Sequence, residues 1–368
     1  MTNRKLILGC SAVMIGAVGI LVFEGFRSLE HDHSVVASHD DALDAHQHHH
    51  QEASSVVHDD HSTAPPVSAF VDPNSPIQPI FDLDNIDYAK AKIGWTLFKD
   101  PNLSSNNQVS CETCHNLQTN GAELIPVSVG VEGLGERNSL TVFNAVYNYR
   151  FFWDGRVNTL EEQLDGPVHN PVEMDSSWEE IKAYVNDSSA YREMFSTAGL
   201  DISVDNIVGS IVEFENALTT PNAPFDRYLM GDELAINNAA KRGWEAFQAE
   251  GCIACHQGAN VGGGMVMQFG YFGQDKTGAE RSNDLGRFST TSKPEDRHLF
   301  RVASLRNVAE TAPYFHDGKT QSLDDAIKIM GRSQLGRELD QETIVDIKSF
   351  LMTLTGDRPT ILERLENE

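Results

Sequence analysis

Positive charge is scarce in this sequence. Its 368 residues include 28 Lys and Arg against 54 Asp and Glu, which gives a formal net charge of −26. Because nucleic acids and anionic lipids are bound through basic surfaces, this balance argues against both as broad electrostatic partners. It leaves open a basic partner protein or an uncharged small substrate. Residues 24–64 hold only nine of the acidic residues, so most of the acidity belongs to the rest of the chain.

Long apolar runs are also scarce. Hydrophobic residues make up 40% of the chain, and a single run, residues 6–23, approaches the length that spans a bilayer. A protein with several membrane spans is therefore excluded. Arg4 and Lys5 precede the run and acidic residues follow it, which predicts a cytoplasmic N-terminus and an exported body. We expect residues 1–24 to be an uncleaved membrane anchor, and a cleaved signal peptide is the alternative.

Residues 25–80 have almost no apolar periodicity. Nine of the 14 histidines lie between residues 31 and 61, mixed with Asp, Ser and Ala, and five prolines follow by residue 79. This composition predicts a disordered His/Asp-rich and Pro-rich linker. Such a tract can bind Cu(II), Zn(II) or Ni(II) weakly, and a plain solvated spacer is the alternative interpretation.

Cysteine is rare as well, and its placement is informative. One of the five cysteines, Cys10, lies in the apolar run. The others form two Cys-x-x-Cys-His motifs, made of Cys111, Cys114 and His115 and of Cys252, Cys255 and His256. This spacing is typical of haem c attachment, because both thiols bond the haem vinyl groups while the histidine reaches the iron from the same face. One such motif alone could be chance, a redox dithiol or half a zinc site. Two in one exported chain are a strong signal, and a Cys₄ zinc site would leave the paired histidines unexplained. The sequence therefore predicts two covalent haem c groups, with one histidine ligand to each iron.

The two motifs lie inside an internal repeat. Residues 91–98 and 240–247 are similar segments that precede the first and second motif. Each half then closes on apolar residues with helical spacing, namely Ile211, Phe214 and Leu218 in the first and Ile347, Phe350 and Leu354 in the second. A helix, a haem motif and a closing helix describe a small cytochrome c fold. We predict a mainly α protein with little strand, built of two tandem cytochrome c-type domains at residues 81–225 and 226–368.

The second ligand of the C-terminal haem iron has several candidates. Met330 lies on the apolar face of a helix expected to begin after Ser322. Met265 and Met267, in a glycine-rich loop, compete with it, and plain core packing is the alternative role of Met330. A thioether ligand would raise the potential of that haem and suit it to receiving electrons.

Over residues 85–356 the chain resembles the bacterial dihaem cytochrome c peroxidases and their MauG-type relatives. The resemblance rests on both haem motifs and on residues 152–156, 170–174, 221–226 and 311–318. In that family the N-terminal haem is the peroxidatic site, and electrons enter at the C-terminal haem. The family's methionine ligand matches Met330. The resemblance therefore implies reduction of hydrogen peroxide with electrons from a small redox protein, such as cytochrome c or a cupredoxin.

The same resemblance assigns catalytic roles to three residues. Glu173 matches the distal glutamate that moves a proton between the two peroxide oxygens. Gln163 matches a distal amide that orients peroxide or water, and Trp153 matches the tryptophan between the haems. Each residue also has an alternative role that does not depend on the family. Glu173 could be a charge at a helix start, Gln163 a surface amide and Trp153 a core side chain between the domains.

Further expectations concern a metal ion and assembly. The resemblance implies a calcium ion between the domains, with ligands that match Asn138, Thr311 and Pro313, the last two through carbonyl oxygens. The family also tends to form homodimers.

One position departs from the family pattern. Val131 stands where many of these peroxidases carry a histidine that caps the peroxidatic iron until the second haem is reduced. Valine cannot bind iron, so we expect an open or water-bound site in the oxidised protein and no need for reductive activation. His169, four residues before Glu173, is not expected to replace that ligand. The capping histidine is also missing from MauG-type enzymes, but those replace the methionine ligand with tyrosine.

The sequence as a whole predicts an exported dihaem c-type peroxidase, periplasmic and held at the inner membrane by residues 1–24. A MauG-like oxidase that modifies Trp or Tyr residues of a partner protein is the first alternative. A plain electron-transfer dihaem cytochrome is the second. The acidic body suits docking of a positively charged electron donor.

Overall fold

The computed structural model describes residues 72–273 and 283–368. The expected membrane anchor and nearly all of the expected linker, with its histidines, lie outside these residues. Within the described ranges, every helix is too short or too polar to cross a bilayer.

The described chain is mainly α-helical, as predicted. The helices are α1 (Tyr88–Lys99), α2 (Cys111–Cys114), α3 (Leu160–His169), α4 (Trp178–Asp187), α5 (Ser189–Thr197), α6 (Val204–Asn216), α7 (Pro224–Leu229), α8 (Asn238–Ala249), α9 (Phe288–Thr291), α10 (Leu323–Gln334), α11 (Gln341–Met352) and α12 (Thr360–Glu366). The strands are β1 (Val129–Gly130), β2 (Gly133–Leu134), β3 (Val266–Gln268) and β4 (Leu299–Arg301). They form two antiparallel pairs, β1 with β2 and β3 with β4.

Polar caps begin the helices that frame the two halves. The Asp87 carboxylate accepts a hydrogen bond from the backbone N–H of Lys90 at the start of α1, and Asn237 does the same for α8. The Ser322 hydroxyl accepts one from the N–H of Asp325, so α10 begins where its sequence predicts. Each cap satisfies a backbone donor that the first helical turn leaves unpaired.

The internal repeat is visible in two matching helix crossings. Helix α1 crosses α6 at Gly94, where an added Cβ would lie 1.9 Å from the backbone oxygen of Ser210. Helix α8 crosses α11 at Gly243, where an added Cβ would lie 1.8 Å from the backbone oxygen of Asp346. Both crossings therefore bring backbone against backbone, which only glycine permits.

Each crossing belongs to its own hydrophobic core. The first core contains Phe98 and Phe214, and the second contains Phe247 and Phe350. The predicted closing residues share these cores, although α6 and α11 end before their last leucines. The repeat thus supplies two separate buried clusters that hold the two Cys-x-x-Cys-His motifs.

Both ends of the described chain pack across this division. Ile77 is fully buried in the second core, and Ile80 is 1% exposed. The linker was expected to extend to residue 80. The packed part of the chain begins before that point, because the side chains of Ile77 and Ile80 are buried. At the other end, α12 adds side chains to the first core, namely Ile361, Leu362 and Leu365.

Gly94→Ala is expected to destabilise the protein by about 1–3 kcal/mol, because the new methyl group would force α1 away from α6. Gly209→Ala on α6 is the matched control, since its Cβ would meet only the end of the flexible Lys90 side chain. Urea unfolding of the haem-loaded variants measures the difference. Equal stability of the two variants would contradict the close helix crossing.

Candidate active site

A cavity of about 650 Å³ lies beside the first Cys-x-x-Cys-His motif. Its walls include Cys111, Cys114 and His115. They also include the three residues predicted to be catalytic, Trp153, Gln163 and Glu173. The structure thus brings the predicted haem attachment residues and the predicted catalytic side chains to one cavity.

Local hydrogen bonds fix the geometry of both haem motifs. In the first, the backbone N–H of Ser110 donates to the Thr113 hydroxyl and the N–H of His115 donates to the carbonyl of Cys111, at 3.0 and 2.9 Å. In the second, the N–H of His256 donates to the carbonyl of Cys252 at 3.0 Å. The same turn therefore carries the attachment residues in both halves.

Both motif histidines are held neutral. Burial lowers the pKa of His115 to about 4, against the opposing effect of the nearby carbonyls of Gly121 and Leu140. Burial likewise lowers the pKa of His256 to about 4. The neutral imidazole is the form that binds a metal, so both rings suit a haem iron.

The cysteine thiols also fit covalent attachment rather than free thiolate chemistry. Burial raises the pKa of Cys111 to about 12 and that of Cys114 to about 11. A reactive thiol needs a lowered pKa, which these sites do not provide. A thioether bond removes the titrating proton altogether and leaves an apolar sulfur that the buried site accommodates.

Glu173 is positioned by a turn that follows α3. The backbone N–H of Glu173 donates to the carbonyl of Asn170, and the Asn170 side-chain amide donates to Glu173 Oε1 at 2.7 Å. Burial raises the pKa of Glu173, while the Asn170 hydrogen bond and the charge of Arg156 oppose the rise. A carboxyl with a raised pKa can both take and return a proton near neutral pH.

Gln163 reaches the cavity from α3. The Thr159 hydroxyl accepts a hydrogen bond from the Glu162 N–H and caps the start of this helix. Leu164 and Pro167 line the cavity beside Gln163. Helix α3 therefore places the Gln163 amide in the wall of the cavity that Glu173 also lines.

Val131 lies beside Glu173, in the loop between β1 and β2. Its backbone N–H donates to the Glu173 carbonyl at 2.9 Å, and its side chain packs against the first core. The preceding Gly130 touches this segment so closely that an added Cβ would lie 2.0 Å from the Val172 carbonyl. His169 is exposed and does not line the cavity; its Nδ1 lies 2.9 Å from the Asp165 carbonyl.

Trp153 lies where segments of both halves meet. Its indole N–H donates to the Asn138 carbonyl at 2.8 Å, and its own carbonyl accepts from the Arg301 N–H at 2.6 Å. The indole ring also meets the His316 ring edge-on at 6.1 Å. Trp153 therefore lies between the halves, and its role as an electron relay stays a prediction.

Arg301 shows that the cavity suits an anionic group. Its side chain is buried in the cavity wall, and its Nε and Nη1 have no hydrogen-bond partner. Burial lowers its pKa to about 10. Because a buried cation without a partner is costly, a carboxylate belongs beside it. A haem propionate would supply such a carboxylate, so the cysteines, the neutral histidine and the unpaired Nε and Nη1 of Arg301 together fit haem c.

The candidate ligands of the second site lie on two elements. Met330 is half-buried on α10, which shares the second core with Cys252. Met267 is 41% exposed on β3, and Met265 just precedes that strand. Burial therefore favours Met330 over Met267, and the assignment of the ligand stays a prediction.

The expected calcium ligands lie in neighbouring segments. The backbone N–H of Asn138 donates to the His316 carbonyl at 2.8 Å, which brings Asn138 to the loop that carries Thr311 and Pro313. The Thr311 hydroxyl donates to the Val308 carbonyl. Within the described ranges, no cluster of three or more His, Cys, Asp or Glu side chains forms a metal site. The calcium site, built on an amide and carbonyls, stays a prediction.

Three residues of the site were not predicted from the sequence, although Asp154 lies in the segment 152–156 that carries the family resemblance. Asp154 is buried and accepts hydrogen bonds from Arg137, Arg156 and Thr290 beside the cavity. Arg301 comes from β4, far along the chain, and no motif marks it. Glu215 lines the cavity from α6, and a comparison of the two halves residue by residue could have singled it out.

Comparison with known proteins agrees with this geometry. Residues 88–234 match the family described as di-haem cytochrome c peroxidase. The chain is 44% identical over 284 residues to the cytochrome c551 peroxidase of Pseudomonas aeruginosa, covering 75% of this chain and 81% of that protein. It is 34% identical over 289 residues to the methylamine utilization protein MauG of Methylorubrum extorquens, covering 76% and 78%. A solved MauG-like protein associated with microbial copper homeostasis superposes with a TM-score of 0.66 at 28% identity, covering 77% and 94%.

The fold and the cavity therefore define an oxidoreductase built around c-type haem. The chain belongs to the di-haem cytochrome c peroxidase family, and its enzyme class is that of a cytochrome c peroxidase.

Proposed function

We propose that this protein reduces hydrogen peroxide to water in the cavity beside His115. The observation that carries the proposal is that Glu173, Gln163 and the first haem motif line one cavity. Peroxide cleavage needs a carboxyl and an amide of this kind, and electron transfer alone requires neither. When bound, the haem supplies an iron that binds peroxide and exchanges electrons with it.

The protein side chains supply the proton chemistry. Glu173 would take a proton from one peroxide oxygen and return it to the other, which then leaves as water. The Asn170 amide holds Glu173 Oε1 in place at 2.7 Å. The Gln163 amide would orient peroxide by hydrogen bonding, and Arg301 would hold a propionate of the cofactor.

Electrons would enter at the second haem, held by Cys252, Cys255 and His256 with Met330 as the second iron ligand. Trp153, between the halves, would relay them to the peroxidatic site. A small redox protein, a cytochrome c or a cupredoxin, would be the donor, and the acidic charge of the chain favours a donor with a basic surface. With valine at position 131, the oxidised protein would react without prior reduction.

The protein would work in the periplasm, tethered to the inner membrane by residues 1–24, and as a homodimer. A calcium ion would sit near Asn138, Thr311 and Pro313 and brace the junction between the halves.

A mixing experiment tests the function. Peroxide is added to the oxidised, haem-loaded protein with and without reduced cytochrome c, and EPR spectra are recorded before and after. We expect a high-spin haem signal before addition and rapid oxidation of cytochrome c afterwards. A long-lived oxidised species without turnover would favour the MauG-like oxidase instead. No reaction with peroxide at all would contradict both enzymes.

A further inference from the structure

Glu215 is a carboxyl group that the proposed peroxide chemistry does not use. It lies near the end of α6, is 3% exposed and lines the cavity together with Cys111. Its Oε2 is buried and has no hydrogen-bond partner. A buried carboxylate without a partner is costly, so such a group keeps its proton unless a positive charge approaches it.

Among the described residues, no positive charge contributes to the pKa of Glu215. The negative charge of Glu161 on α3 acts on Glu215, and the charge of Glu215 acts on the sulfur of Cys111 on α2. From α1, Lys90 meets α6 at Gly209, six residues away in sequence. Helix α4 and the turn at Ala145–Tyr147 share the core with α6 through apolar side chains, namely Ile181, Val185 and Ala145. Burial, followed by the charge of Glu161, raises the pKa of Glu215 to about 8.

The internal repeat shows that the fold itself does not need this carboxyl. Phe214 in α6 corresponds to Phe350 in α11, because each lies against the glycine of its own helix crossing. The next residue is Glu215 in the first half and Leu351, 4% exposed, in the second. An aliphatic side chain fills the equivalent place in the half that would receive electrons. The carboxyl is thus particular to the half that carries the peroxide cavity.

Glu215 is also distinct in position from Glu173. The charge of Glu215 acts on the Cys111 sulfur, whereas that of Glu173 acts on the Cys114 sulfur. Glu173 has a fixed partner in the amide of Asn170, and Glu215 has no comparable partner at Oε2. The cavity therefore holds two carboxyls near different ends of the attachment motif.

We propose that Glu215 is the proton site coupled to the oxidation state of the first haem: it takes up one proton when that site gains one electron and releases it on oxidation. The extra positive charge of the oxidised site favours the carboxylate, and the loss of that charge on reduction favours the neutral acid. One electron and one proton enter together, so the net charge of the buried cavity stays constant. The inference rests on the proposed function only in requiring haem c at this site.

Spectroelectrochemical titration of the full-length, haem-loaded protein at a series of pH values around 8 tests the coupling without peroxide. In the wild type, the reduction equilibrium of the first haem is expected to change tenfold per pH unit, about 59 mV for one electron. Glu215→Leu, which copies the second half, and Glu215→Gln should both remove this dependence. Their potentials should stay near the value that the wild type has at low pH, where the acid is neutral.

Two control variants separate Glu215 from its neighbours. Glu161→Gln removes the negative charge that raises the pKa of Glu215, so the dependence should remain but move to lower pH. Glu173→Gln should leave the dependence in place. A wild type without pH dependence, or Glu215 variants that retain it, would overturn the proposal.

Infrared difference spectra of reduced minus oxidised protein provide a second measurement if Glu215→Leu fails to bind haem. A protonated-carboxyl band should appear on reduction in the wild type and be missing in Glu215→Gln. An unchanged band in Glu215→Gln would also overturn the proposal. Because neither measurement uses peroxide, a protein that shows the coupling but does not turn over would contradict the proposed function and leave this inference standing.

Discussion

Replacing Glu173 with glutamine is expected to lower kcat/KM for peroxide by about 10²–10⁴-fold, the usual contribution of a positioned acid–base group. Glutamine keeps the size of the side chain and can still accept the hydrogen bond from Asn170. It cannot take a proton from one peroxide oxygen and deliver it to the other. The rate of cytochrome c oxidation at limiting peroxide measures the loss.

Glu123→Gln is the matched control for this substitution. Glu123 is another half-buried carboxyl of the first half whose pKa burial raises, but it does not line the cavity. Its loss should leave kcat/KM nearly unchanged. Equal losses in both variants, or normal turnover in Glu173→Gln with full haem content, would show that Glu173 has no catalytic role.

The pH profile gives an independent check of the same assignment. Burial raises the pKa of Glu173, so the carboxylate that accepts the first proton is present only above a pH higher than that of an ordinary glutamate. Activity of the wild type should therefore fall as the pH drops through this raised pKa. The acidic fall should vanish in Glu173→Gln and persist in Glu123→Gln.

These predictions draw on sequence and structure in different ways. The haem motifs and the repeat could be predicted from the sequence because their signals are local: fixed spacings and periodic apolar residues. Gly94 and Gly243 occupy equivalent positions in the two repeated segments. The structure shows why both are glycine, since each lies at a close helix crossing. The predicted start of α10 after Ser322 is confirmed for the same reason, since a helix cap is a short-range feature.

The parts that could not be predicted depend on contacts between distant segments. Arg301 becomes part of the cavity wall only because β4 packs near Trp153, and its own neighbours in sequence carry no sign of that. The sequence places Ile77 in a proline-rich linker, whereas the structure buries its side chain in the second core. The burial of Glu215 likewise follows from the packing of α6 against α1 and α3. Local sequence propensity does not encode contacts between distant segments. The residues that line the cavity therefore could not all be predicted from the sequence.

Restoring the missing histidine by Val131→His is expected to close the peroxidatic site in the oxidised protein. The hairpin of β1 and β2 holds residue 131 beside Glu173, through the hydrogen bond from its N–H to the Glu173 carbonyl at 2.9 Å. An imidazole there would compete with peroxide for the iron. If the new ligand leaves about 1% of the sites open, the apparent rate with peroxide falls about 100-fold.

EPR spectra and stopped-flow mixing of the oxidised proteins measure this effect together. Val131→His should convert the high-spin signal to low-spin and slow the reaction with peroxide, and Val131→Ala should do neither, because alanine provides no ligand. A wild-type protein that is already fully low-spin would contradict the open site. A high-spin, fully reactive Val131→His would instead show that this hairpin cannot bring a side chain to the iron, and that the valine is not what keeps the site open.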